Sequence, residues 1–193
     1  MHALAVHRTL AELLRPDDCL VFDGGDFCHW GRSYHRARLP RRWWYLPTIG
    51  LLGSALPAAI AAKIAHPERR VIAFTGDGAF GFNAMEIETA LRHNLPVVFV
   101  VDNNQGILGS TIESTLFAGE YPERVGMYVP DARYDRMIEA FGGHGEHVER
   151  PEEIRPALER ALAADRAACI NVVIDPTERQ AGRTVSQLRD MGY

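Results

Sequence analysis

The stretch VIAFTGDGAFGFNAMEIETALRHNLPVVFVVDNNQGI, residues 71 to 107, decides the fold. It opens on a continuous apolar run, VIAFT at 71–75, and reaches another, VVFVV at 97–101. Runs without polar alternation are the form of strands covered on both faces of a parallel sheet. Between them Ala84, Ile87, Ala90 and Leu91 recur at helical spacing. A strand–helix–strand unit of this kind crosses over right-handed, and an open parallel sheet binds ligands beyond the carboxyl ends of its strands.

The flanking sequence continues the same alternation. Ala3, Val6, Leu10, Leu13 and Leu14 lie at helical spacing and are stopped by Pro16 and Asp17, after which CLVFD at 19–23 reads as the first strand. A loop, GGDFCHWGRS, then leads into a basic stretch and the aromatic run WWYLP. The small residues of SALPAAIAAKIA predict a close-packed helix from about Gly53 to Ala65, ended by Pro67. Two more helices are expected on Tyr134, Met137, Ile138 and Phe141, and on Ile154, Ala157, Leu158, Ala161 and Leu162, before a last strand at CINVVID, 169–175. The expectation is one three-layer α/β/α domain over residues 1–176, with a mostly parallel sheet of about six strands and a polar tail at 177–193.

Composition narrows the function classes. The chain has 193 residues, 47% hydrophobic and 24% charged, enough for one domain with a sizeable core. Its net charge of −4 lacks the positive field of a protein whose main partner is nucleic acid. Arg8 and Glu12 interrupt the amino-terminal apolar residues, and no later run has membrane-spanning length, so a cytoplasmic protein without a membrane partner is expected. Cys19, Cys28 and Cys169 are widely spaced and form no CxxC pair.

Three loops are expected at the carboxyl edge: DGGDFCHWGR, TGDGAFGF and VDNNQGIL. Asp77 and Asn104 are separated by one helix and one strand, so consecutive parallel strands return both to that edge, where they can meet one ligand. An aspartate and an asparagine beside Gly76, Gly78 and Gly106 form a hard-oxygen set suited to magnesium or calcium. Magnesium usually combines one or two carboxylates with phosphate oxygens and water, so a sparse set predicts a phosphorylated ligand. A helix starting near Asn83, and free amides at Gly78, Ala79 and Phe80, would add donors for the phosphates. GDGAFG does not match the GxGxxG dinucleotide fingerprint, and no P-loop is present.

The run GDGAFGFNAMEIETALRHNLPVVFVVDNNQGI resembles the diphosphate-binding signature of thiamine-diphosphate-dependent enzymes, which begins with GDG and ends with a double asparagine. IGLLGSALPAAIAA resembles the segment receiving the cofactor's aminopyrimidine, and GDGAFGFNAMEIET with ACINVVIDP is similar to the branch of acetolactate synthases, oxalyl-CoA decarboxylases, 2-hydroxyacyl-CoA lyases and benzaldehyde lyase. The resemblance implies Asp77, Asn104 and the Gly106 carbonyl as magnesium ligands, the Gly50 carbonyl as partner of the pyrimidine amine, and Leu52 as the apolar wedge that bends the cofactor. Gly25, Asp26, Gly76, Gly78, Ala79, Phe80 and Ile107 complete the implied cofactor-binding set. Gln105 and Leu108, which follow the metal loop, are placed beside substrate by position. Asp26 departs from the neutral polar residues common in relatives, and must turn away from a diphosphate or be protonated.

Family members activate the cofactor with a glutamate from a separate pyrimidine domain. The resemblance therefore implies a beta-type subunit of a split decarboxylase, carboligase or carbon–carbon lyase acting on a small 2-oxo acid or acyl substrate. It would pair with a pyrimidine-domain subunit in an α2β2 heterotetramer, comparable to the two-subunit sulfopyruvate decarboxylases. The methionine directly before the first helix motivates that expectation. A noncatalytic cofactor-binding or regulatory module is the alternative. His29 is a candidate acid or base in the first loop, with an ordinary structural histidine as its competing reading. Arg32, Arg36, Arg38, Arg41 and Arg42 beside Trp43, Trp44 and Tyr45 suit a subunit interface, or else a nucleic acid or CoA phosphate. His144 and His147, around a glycine-rich turn, read as surface residues.

Overall fold

Thirteen helices and strands alternate through the described residues of the computed structural model, which are 1–46, 51–107 and 126–176. They are α1 (Ala3–Leu13), β1 (Cys19–Phe22), α2 (Asp26–Tyr34), β2 (Trp43–Tyr45), α3 (Ala55–Ala65), β3 (Val71–Gly76), α4 (Asp77–Asn83), α5 (Glu86–Arg92), β4 (Val97–Asn103), α6 (Tyr134–Ala140), β5 (His144–Val148), α7 (Pro151–Ala163) and β6 (Ala168–Val173). The strands form one six-stranded sheet in the order β2-β1-β3-β4-β6-β5, and every pairing is parallel. The α/β expectation therefore holds.

Strand alternation divides the core into two layers. Leu20, Phe22, Ile72, Phe74, Val98, Val100 and Ile170 pack on one face against α1, α2 and α7. Cys19, Val21, Val71, Ala73, Val97, Phe99 and Val101 pack on the other against α3, α5 and Ile138 of α6. Because both faces are covered, β3 and β4 show no alternation of polar and apolar residues, which is why their runs read as central strands. Val71 pairs with Val97, and the register runs on to Gly76 opposite Asp102. The loops following these strands are thus delivered at one level of the sheet.

The structure corrects several local expectations. GGDFCHWGRS is mostly helix, because Phe27, Cys28 and Gly31 bury one stripe of α2 against the core. Its mid-helix glycine is a contact requirement: a Cβ on Gly31 would lie 2.6 Å from His7 Cε1 and 2.8 Å from Phe22 Cε1. The helix expected near Asn83 instead begins at Asp77 and ends at Asn83, and α5 follows after a break at Ala84 and Met85. The amides of Gly78, Ala79 and Phe80 consequently belong to the first turn of a short helix. WWY forms the edge strand β2. His144 and His147 lie on edge strand β5, not around a turn, and the His147 ring meets Asn171 Nδ2 at 3.2 Å. Among the described residues, no helix is long and apolar enough to cross a membrane. Gly50, Leu108 and the tail at 177–193 lie outside the described residues.

Candidate functional site

Two neighbouring strand ends build the site. β3 delivers Asp77 and β4 delivers Asn103 and Asn104. Asp77 is 2% exposed, and among the described residues its carboxylate is held by backbone: Gly78 N donates to Oδ1 at 2.7 Å and Gly106 N donates to Oδ2 at 3.0 Å. Burial pushes the Asp77 carboxyl up to about 6, against the opposing pull of these amide donors. A buried carboxylate is costly without a counter-charge, and no side-chain cation meets Asp77 among the described residues.

The two asparagines have different duties. Asn103 donates from Nδ2 to Ala132 O at 2.9 Å, tying the end of β4 to the segment before α6. Both asparagines leave a buried Oδ1 without a hydrogen-bond partner among the described residues, and Asn104 has no such tether to Ala132 O. An orphaned amide oxygen near a buried carboxylate is the donor set a hard cation requires. Among the described residues, no group of three or more His, Cys, Asp or Glu side chains is placed to hold a metal. The cation's remaining oxygens must then come from backbone, water or ligand, the pattern typical of magnesium bound with phosphate.

The loop after Asn104 is fixed by a short antiparallel ladder. Gly106 bridges Met127, Ile107 N donates to Gly126 O at 2.8 Å, and Tyr128 N donates to Gln105 O at 2.8 Å. Gln105 takes a left-handed φ of 65° to enter this ladder, a conformation unusual outside glycine. A Cβ on Gly106 would lie 2.5 Å from Gly126 O, so only glycine permits the approach. Tyr128, whose part in the site the sequence did not signal, reaches over Gly78: a Cβ there would lie 2.6 Å from Ile107 Cγ1 and 2.9 Å from the Tyr128 hydroxyl. Burial, then the charge of Asp77, raises the Tyr128 phenol above its ordinary value and keeps it a donor.

Asp23 is a second residue that sequence reasoning left without a role. At the end of β1 it is fully buried and accepts hydrogen bonds from Gly24 N at 2.9 Å, Gly53 N at 2.9 Å, Ala55 N at 3.2 Å and Thr75 Oγ1 at 3.2 Å. It therefore joins the ends of β1 and β3 to the start of α3 and sets the turn that carries half-buried Leu52. Gly53 is needed in that turn, with φ of 84° and Phe82 Cβ only 2.8 Å from where its own Cβ would stand. Its position in the apolar run CLVFD, at a carboxyl strand end, was the available signal.

The other expected residues are distributed as follows. Gly76 ends β3 with open space where a Cβ would be, leaving room for a ligand to approach. Ala79 and Phe80 are core residues, Phe80 packing edge-on to Tyr134 at 5.5 Å, so only their amides are available to a ligand. Gly25 caps α2 with φ of 95°, and Asp26 is exposed on its first turn. His29 is half-buried within α2. Asp102 is 3% exposed, its Oδ1 has no hydrogen-bond partner among the described residues, and burial, Asp77 and Asp26 together raise its carboxyl well above the ordinary range. Burial and the neighbouring carboxyls thus favour a protonated Asp102 beside Asp77.

Residues 23–172 match the family model described as "Thiamine pyrophosphate enzyme, C-terminal TPP binding domain". The chain is 43% identical over 178 residues to an acetolactate synthase large subunit of Mycobacterium tuberculosis, covering 92% of this chain and 32% of that protein. It is 41% identical over 164 residues to a 2-hydroxyacyl-CoA lyase of Arabidopsis thaliana, covering 83% of this chain and 29% of the relative. An oxalyl-CoA decarboxylase of Escherichia coli strain K12 is 37% identical over 161 residues, covering 83% of this chain and 28% of the relative. The chain thus spans about a third of the length of these relatives. The crystal structure of benzoylformate decarboxylase from Polynucleobacter necessarius superposes with a TM-score of 0.77 at 23% identity, over 91% of this chain and 33% of that one, which shows the shared fold.

Proposed function

Because the chain belongs to the family of C-terminal thiamine-pyrophosphate-binding domains of thiamine pyrophosphate enzymes, we propose that it anchors the cofactor's diphosphate through a magnesium ion. The observation that carries this reading is the buried, unpartnered Asn104 Oδ1 at the strand end next to that of Asp77. Asp77, Asn104 and the Gly106 carbonyl would hold the metal. The amides at the start of α4 would face the phosphates, and Leu52 would support the thiamine moiety. The cofactor, once bound, supplies a thiazolium carbon that adds to a carbonyl and accepts the electrons released when a neighbouring bond breaks.

This chain's residues contribute placement. Asp77 would supply a carboxylate to the cation, while the contact of 105–107 with Gly126–Tyr128 holds the neighbouring loop. Asp23 sets the turn before α3, so the diphosphate end and the Leu52 end of the pocket share one rigid sheet edge. Gln105 and Leu108 are proposed to border the substrate.

The complete catalyst is proposed to be a decarboxylase, carboligase or carbon–carbon lyase for a 2-oxo acid or acyl substrate, in a cytoplasmic setting. A pyrimidine-binding partner subunit, in an α2β2 assembly, would contribute the glutamate that activates the reactive ring. The test mixes this chain with a candidate pyrimidine-domain protein, thiamine diphosphate and magnesium, and assays 2-oxo acids and acyl-CoA substrates. Turnover by the mixture and none by either component is expected. Turnover by this chain alone overturns the partner requirement, and cofactor binding without turnover by any mixture favours a noncatalytic module.

A further inference from the structure

Tyr128 is brought to the phosphate site by chain pairing far from its own sequence neighbourhood. The antiparallel contact of Gln105–Ile107 with Gly126–Tyr128 fixes its backbone, with Tyr128 N donating to Gln105 O at 2.8 Å. Its hydroxyl ends 2.9 Å from the position a Cβ would take on Gly78, the residue whose amide donates to Asp77 Oδ1. The same side of Gly78 receives Ile107 Cγ1 at 2.6 Å from that position. A side chain at residue 78 would thus displace both groups, and glycine there keeps a phenol hydroxyl beside the metal loop. No described residue accepts or donates a hydrogen bond to that hydroxyl, although the tyrosine is half-buried. That leaves a phenol O–H, able to donate, beside the turn whose Gly78 amide holds Asp77.

We propose that the Tyr128 hydroxyl donates a hydrogen bond to an oxygen of the bound diphosphate, making Tyr128 a phosphate-binding residue. This rests on the reading that the Asp77 edge holds a magnesium diphosphate. The hydroxyl adds a neutral donor to an edge otherwise crowded with carboxylates, and it recognises the anion without adding a positive charge that would compete with the cation. A hydrogen bond to a charged group contributes more than a neutral one, so its loss weakens binding about tenfold or more.

The test is a calorimetric titration of the full chain with inorganic pyrophosphate at saturating magnesium, a probe that engages only the diphosphate subsite. Tyr128→Phe, Tyr128→Leu and Asp77→Ala are compared with the unaltered protein. The expected result is an affinity loss of about tenfold or more in Tyr128→Phe, equal to that in Tyr128→Leu, with an unchanged thermal midpoint in Tyr128→Phe. Affinity within twofold in Tyr128→Phe overturns the proposal, and if only Tyr128→Leu binds weakly, the ring acts by packing on Gly78. Pyrophosphate binding equal in Asp77→Ala and the unaltered protein, or absent from both, overturns the magnesium diphosphate reading itself, and the role of Tyr128 with it.

Discussion

Asp18 and Asp77 are both buried, at 6% and 2% exposure, and they stand at opposite ends of the sheet. Asp18, just before β1, receives Arg70 Nε at 2.8 Å, Arg70 Nη2 at 2.5 Å and the Arg15 amide at 2.7 Å. The guanidinium is itself tied to Leu13 O at 2.9 Å. Asp77, just after β3, receives two backbone amides and no side-chain cation among the described residues. One carboxylate is paired by the fold with a guanidinium; the other is oriented by backbone amides with no side-chain cation beside it among the described residues. Removing one partner of a buried pair leaves an uncompensated charge and destabilises the fold, whereas a buried carboxyl without a side-chain counter-charge is a candidate ligand site.

The largest effect is expected where that structural pair is broken. Arg70→Ala leaves Asp18 buried and uncompensated, and should cost about 3–5 kcal/mol in urea unfolding. A loss below about 1 kcal/mol would place the pair with solvated surface bridges and remove the contrast with Asp77.

Burial without any charge is the third way this chain treats a polar group. His7 and His35 face each other at 3.3 Å, and His7 Nε2 meets Phe27 O at 3.0 Å. Burial, then the neighbouring His35, lowers His7 to about 3, while burial, then Arg38, lowers His35 to about 4. Both lie below the ordinary histidine value of 6.5, so the unfolded chain binds more protons between those values and stability falls as pH falls through that window. Replacing His35 by Phe should reduce the slope of stability against pH by about 1.4 kcal/mol per unit between pH 6 and pH 4. An unaltered slope would show that the pair is not neutral in the fold.

The smallest effect separates the two asparagines. Asn103→Ala breaks the bond to Ala132 O and should cost about 1 kcal/mol of stability. Asn104→Ala removes an oxygen with no partner among the described residues, and should leave the urea midpoint unchanged while weakening magnesium-dependent diphosphate binding. Reversal of these two outcomes would exchange their roles.

Legibility in the sequence followed the range of the interactions. β3 and β4 were plain because burial on both faces writes itself into consecutive residues, and the Asp77–Asn104 pairing followed from the topology those strands impose. α2 was obscured because only Phe27, Cys28 and Gly31 are its buried residues, and a glycine in mid-helix ordinarily argues against a helix. The contact of Gly31 with His7 and Phe22, which explains that glycine, is tertiary. Asp23 was equally hidden, since its partners Gly53, Ala55 and Thr75 lie on other elements. Tyr128 depended on an antiparallel bridge between two loops, a register that no periodicity announces.

The central claim is that Asp77 serves a ligand and Asp18 the fold. The direct measurement titrates thiamine diphosphate with magnesium into the protein and its Asp77→Ala variant by calorimetry, with urea unfolding of both. Removal of a buried charge offsets the two lost amide contacts, so stability should change by no more than about 1–2 kcal/mol while magnesium-dependent cofactor binding disappears. Unchanged cofactor affinity in Asp77→Ala would contradict the account.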